Sequence, residues 1–137
     1  MIITKYDEIF NRLTEYNSNN AAINFGNVIV PYATQNPTYP YTVVDEISNI
    51  PYNRYELGKD EMSSVIYKVD IYAKTIGANT KQNICRVIAD QLDEFLRRTV
   101  GLKRTSFNVI PLENDASIYH ITMVYSGTIH NYRNKFI

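Results

Sequence analysis

The chain has little of what usually carries chemistry. Its 137 residues include one cysteine, Cys85, no tryptophan, and two histidines, His120 and His130. A single cysteine closes no internal disulfide and builds no thiolate metal site. Cysteine usage this low fits a reducing compartment. Charge of one sign is not in excess: 14 Lys and Arg balance 14 Asp and Glu. A dedicated duplex-DNA binder carries a basic surplus, because neutralised phosphates supply most of its affinity. The balance argues against that class. No run approaches the ~18 consecutive apolar residues of a membrane span. The opening Met1-Ile2-Ile3-Thr4-Lys5 passes at once into a polar amphipathic segment and lacks signal-peptide architecture. The expectation is a protein made inside the cell, with no membrane partner. Repeats, low-complexity tracts and linkers are also missing, which points to one domain over residues 1–137.

What is present is a hydrophobic fraction of 45%. A chain of this size buries roughly two thirds of the surface its unfolded form exposes. Tyr6, Ile9, Phe10, Leu13 and Tyr16 recur at helical spacing and predict a helix over 4–16. Thr4 is its expected cap, Asp7 and Glu8 suit its first turn, and the run Asn17-Ser18-Asn19-Asn20 is expected to stop it. Residues 27–30 read as a short strand ended by Pro31, and 41–47 as a strand of good β propensity. The polar stretch 48–61 reads as a long loop or an extended hairpin tip. Alternation from Ser63 to Ala73 predicts a strand with Val65, Tyr67, Val69, Ile71 and Ala73 on one face.

A strong helix follows over 80–99, capped by Thr80 or Asn79, with Arg97 and Arg98 in its last turn and Gly101 just beyond it. Strands are expected over 104–110 and 118–130. The predicted fold is α+β: a mostly antiparallel sheet of four to five strands, two helices packed on one face, and the order α-β-(long loop)-β-α-β-β.

Each candidate for chemistry lacks a partner. His120 and His130, ten residues apart, would lie ~33 Å apart on one strand. They read as sheet-surface side chains on the polar face beside Thr122 and Thr128. Cys85 lies in the first turns of a helix, which can lower a thiol pKa. No histidine stands near it in sequence to act as its base, so it reads as a small hydrophobe between helix and sheet. The carboxylate pairs Asp7-Glu8, Asp45-Glu46, Asp60-Glu61 and Asp93-Glu94 are adjacent in sequence, whereas acid–base work needs two carboxylates in different environments around a cleft. Pairs adjacent in a strand face opposite ways, pairs on an exposed helix face read as solvated, and Asp60-Glu61, in a loop, lacks the ligand density of a calcium site. Gly77-Ala78-Asn79-Thr80-Lys81 lacks the second glycine of a phosphate loop. No enzyme activity, cofactor or metal is expected.

The unusual region is 31–61, where Pro31, Pro37, Pro40 and Pro51 alternate with tyrosines. Tyrosine suits interfaces because its ring is apolar and its hydroxyl stays solvated. Proline lowers the entropy an extended segment loses on docking. The expected contact residues are Tyr32, Tyr39, Tyr52, Arg54 and Tyr55, with Asp60 and Glu61 as rim charges. Arg97, Arg98, Lys103 and Arg104 form the one basic cluster.

Three segments together carry a resemblance. They are Tyr67-Lys68-Val69-Asp70-Ile71-Tyr72-Ala73-Lys74 leading into Gln82 through Leu96, then Gly101-Leu102-Lys103-Arg104, and the closing Tyr119 through Gly127. This arrangement resembles the neck proteins of long-tailed bacteriophages of Gram-positive hosts, above all the tail terminator or tail completion class. The resemblance spans about 41–129. It implies a structural virion protein, assembled in the host cytoplasm, that forms a homo-oligomeric and six-fold ring. One ring face would meet the tail tube protein and the other the head-side connector. DNA would pass through the lumen, where the basic cluster could face it. Two alternatives stand beside it: another neck component, such as a head-completion, connector or minor capsid protein, and a small α+β binding module.

Overall fold

The computed structural model describes residues 5–33, 37–54, 60–112, 115–130 and 135–136, with backbone alone at 51–54, 60–62, 130 and 135–136. The first helix, α1, runs Tyr6–Asn19 and seats Ile9 and Leu13 in the core. Thr4, the expected cap, lies outside the described residues. The asparagines expected to stop this helix form its last turn instead. Asparagine is a poor helix former because its amide competes for backbone groups, and here that amide is used. Asn17 is buried, and its Nδ2 donates to the Asn27 carbonyl at 2.7 Å. Asn24 Nδ2 donates to the Asn17 carbonyl at 2.6 Å, and Thr42 Oγ1 donates to Asn27 Oδ1 at 3.0 Å. A satisfied buried network of this kind outweighs intrinsic propensity. It ties the end of α1 to the strand that follows and to the start of the next.

The strands are β1 (Val28–Val30), β2 (Tyr41–Arg54), β3 (Asp60–Ala73), β4 (Lys103–Val109), β5 (Tyr119–His130) and β6 (Lys135–Phe136). They form one sheet in the order β1-β2-β3-β5-β4, with β6 paired to β5 beside this path. β1 runs parallel to β2, and the other ladders are antiparallel. The sheet is therefore mixed, which corrects the expectation of a mostly antiparallel one. The cause is the entry into β2: Val28 stands beside Tyr41, so both strands start at the same end of the sheet.

A second correction concerns the stretch read as a long loop or hairpin tip. Residues 48–54 and 60–61 extend β2 and β3 to 14 residues each, so the hairpin is ~45 Å long at strand rise. Pro51, a turn signal in the sequence, pairs with Ser63 inside it. Proline is tolerated there because, among the described residues, β2 is the sheet edge beyond Val43.

The second helix, α2, runs Lys81–Glu94 and starts on the Thr80 hydroxyl, which accepts from the Asn83 N–H at 3.2 Å. It continues as a π-helical segment, Phe95–Val100. The wider turn lets Phe95 and Val100, five residues apart, both face inward. Gly101 ends it at φ 93°, in the left-handed region glycine adopts freely, and its N–H and that of Leu102 both donate to the Leu96 carbonyl. The two helices share one core with Val65, Tyr67, Val69, Ile71, Ile121, Met123 and Tyr125, and so lie on the same face of the sheet. Among the described residues, the opposite face carries no helix.

Candidate interaction surface

The helix-free face carries an ordered row across three strands. Tyr41, Tyr72 and His120 occupy neighbouring positions on β2, β3 and β5. The Tyr41 and Tyr72 rings stack at 4.8 Å, and the Tyr72 and His120 rings at 4.2 Å. Tyr39 meets Tyr41 edge-on at 5.3 Å, with Lys74 Nζ 4.6 Å from the Tyr39 ring centre. Burial, followed by the charge of Asp70, pushes the Tyr72 hydroxyl up to about 12. It therefore stays a protonated phenol at any physiological pH.

Beside this row sits a compact polar cluster. His120 Nε2 is 2.9 Å from Asp70 Oδ1 and Thr122 Oγ1 is 2.6 Å from the same oxygen. The carboxylate accepts, so His120 Nε2 carries its proton. Lys68 Nζ lies 3.5 Å from Asp70 Oδ2. His120, Asp70 and Thr122 are buried although they face away from the helices. Burial alone would raise the Asp70 pKa. The hydrogen bonds from His120 and Thr122 and the charges of Lys68 and His120 outweigh it, and the carboxyl stays below its ordinary value. The reading of His120 as a surface side chain is corrected: it belongs to the polar face as expected, but as the buried partner of a carboxylate 50 residues away. The His130 side chain lies outside the described residues.

The basic cluster divides in two. Arg97 Nε and an Arg104 guanidinium nitrogen both lie 2.9 Å from Asp93 Oδ2, while the buried Tyr125 hydroxyl donates to Asp93 Oδ1 at 2.7 Å. Asp93 is buried, which corrects its reading as half of a solvated pair. Two of the four cations thus clamp α2 to β4 and β5. Arg98 is exposed, 3.8 Å from Glu94, and Lys103 is exposed on β4.

The contact residues expected from sequence are spread along the molecule. Tyr32 is 68% exposed just after β1. Tyr39 belongs to the aromatic row. The backbones of Tyr52, Arg54, Asp60 and Glu61 lie on the distal part of the hairpin, and Tyr55 lies outside the described residues. Sequence reasoning missed the exposed apolar side chains at the two sheet edges, Ile47 and Ile50 on β2 and Phe107, Val109 and Ile110 at β4. Ile47, Phe107, Val109 and Ile110 fall in expected strands with no sign of which would be outermost, and Ile50 falls in the stretch read as a loop or hairpin tip.

Cys85 is fully buried, with its thiol 3.4 Å from the Ile71 carbonyl. Burial pushes it up to about 12, so it stays a thiol at neutral pH. Asp7, Asp45, Glu46 and Tyr6 line a hollow of about 340 Å³, where burial and then the three carboxylates hold the Tyr6 hydroxyl above its usual value. Among the described residues, no group of three or more His, Cys, Asp and Glu side chains is placed to hold a metal ion, and no helix is long and apolar enough to cross a membrane. No known protein family and no curated protein matches this chain.

Proposed function

We propose that this chain is a structural subunit of the neck of a long-tailed bacteriophage, a tail terminator that closes into a ring, caps the tail tube and presents its other side to the head connector. The observation that supports it best is where the chain places its order. The stacked Tyr41–Tyr72–His120 row and the Asp70 cluster lie on an open sheet face. A preorganised open face serves recognition, because rigid aromatic groups lose little conformational entropy on docking. The resemblance of 67–74, 82–96, 101–104 and 119–127 to the neck class points the same way.

The mechanism is geometric. Unlike surfaces on one chain join head to tail, and rotation closes the set into a ring, six-fold in this class. One ring face repeats the stacking surface of the tube and the other does not, so growth ends. A lasting ring contact buries on the order of 2,000 Å² or more. DNA meets the ring only in passing, with Arg98 and Lys103 as the cations most open to it.

The test is assembly of tail tubes from the tube protein encoded just downstream, with and without this chain, followed by electron microscopy. The expected result is rings on one end of every tube and arrested lengthening. Tubes that grow alike in both cases would end the reading.

A further inference from the structure

Among the described residues, the sheet ends in two open edges. β1 accompanies β2 only from Tyr41 to Val43, so among the described residues no strand flanks the outer side of β2 beyond that point. At the other end, among the described residues, β4 pairs with β5 alone. Open edges offer unpaired main-chain groups, and proteins blunt them with charge, proline or irregular register. Here the blunting is partial. Lys103, Arg104 and the register shift between Arg104 and Ser106 protect the first half of β4, and on β2 a register shift between Glu46 and Ser48 pushes out Ile47 without ending the pairing, while Pro51 interrupts the far part. What remains is apolar and exposed: Phe107 at 38%, Val109 at 41% and Ile110 at 42% on one edge, and Ile47 at 51% and Ile50 at 61% on the other.

Strand polarity says what fits there. From β2 through β3 and β5 to β4, every ladder is antiparallel. β4 therefore runs opposite to β2. A second copy set beside the first in the same orientation brings its β2 antiparallel to this β4, the geometry of main-chain pairing.

We infer that the apolar half of β4 docks on the 44–50 stretch of β2 in a second copy of this chain, with Val109 and Phe107 packing against Ile47. The inference rests on the ring reading and deepens it. Joining unlike edges is a head-to-tail contact, the kind that closes rings.

The test uses a charge swap in the full chain. Ile47→Lys and Val109→Glu each place one charge in the contact, and each is expected to weaken self-association at least about tenfold. The double variant I47K/V109E carries a Lys–Glu pair at every contact, and its association is expected within about threefold of wild type. Circular dichroism and unfolding midpoints confirm that the variants fold. Three outcomes overturn the inference. If the single variants assemble like wild type, the edges are not the contact, although the ring survives. If the double variant fails to recover, like edges meet in a two-fold dimer or the contact lies elsewhere. If the wild type stays monomeric with and without tail tubes, the ring reading falls as well.

Discussion

The two faces of the sheet are held in different ways. The covered face is apolar along β3 and β5, where Val65, Val69, Ile71, Ile121 and Met123 lie in the core shared by both helices with no measurable exposure. Its stability comes from area removed from water and from close packing. The open face relies on specific contacts, a ring stack and a carboxylate with three polar neighbours. The covered face is therefore sensitive to volume, and the open face to chemistry. Proteins settle their folds with the first kind of surface and their partners with the second.

That difference can be broken in graded steps. The largest loss is expected for Ile121→Ala, which opens a cavity beneath α2 and costs about 2–5 kcal/mol in urea unfolding. A loss below about 1 kcal/mol would mean the covered face is loosely packed. Next is Asp93→Ala, which leaves the Tyr125 hydroxyl and two guanidinium groups without their acceptor. Losing one side of a buried pair costs about 3–5 kcal/mol. Both arginines are more than one third exposed and regain water, so about 2–3 kcal/mol is expected. A double-mutant cycle with Arg104→Ala checks that the loss belongs to this clamp.

The open face should respond less in stability and more to pH. Asp70→Asn is expected to cost about 1–2 kcal/mol at neutral pH by weakening hydrogen bonds to a charged acceptor. The folded Asp70 pKa is depressed below the ordinary 3.8. Its contribution is thus complete above that value and disappears as pH falls through the folded pKa. In acid titration monitored by circular dichroism, Asp70→Asn should show a flatter loss of stability below about pH 4 than wild type. An unchanged slope would remove Asp70 from the account. Tyr72→Leu keeps apolar bulk and loses the two ring stacks, for a cost of about 1 kcal/mol. The smallest expected effect is at Cys85. Its buried thiol should resist alkylation at pH 8 in the folded protein and react at once when unfolded.

How far the sequence carries depends on which of these surfaces is in question. Residues 63–73 and 80–99 were legible because burial on one side imprints a period of two or 3.6 on the chain. Thr80 as a cap and Gly101 at the helix end were legible because backbone geometry demands those residue types. The parallel pairing of β1 left no trace, since a three-residue strand has no pattern of its own. The Asn17–Asn27–Thr42 network looked like a helix stop because its partners lie 10 and 15 residues apart. His120 and Asp70 were invisible as a pair because only the β3–β5 register brings them together. Pro51 read as a turn because proline is excluded from central strands, and sequence alone does not reveal that β2 is an edge there.

The central proposal is that the edges of this sheet join copies of the chain into a ring. Native mass spectrometry of the purified chain, alone and with the tail tube protein that the proposal assigns to it, tests it most directly. The account predicts one closed species of a single stoichiometry, six copies, with no ladder of open oligomers. A chain that stays monomeric under both conditions would contradict it.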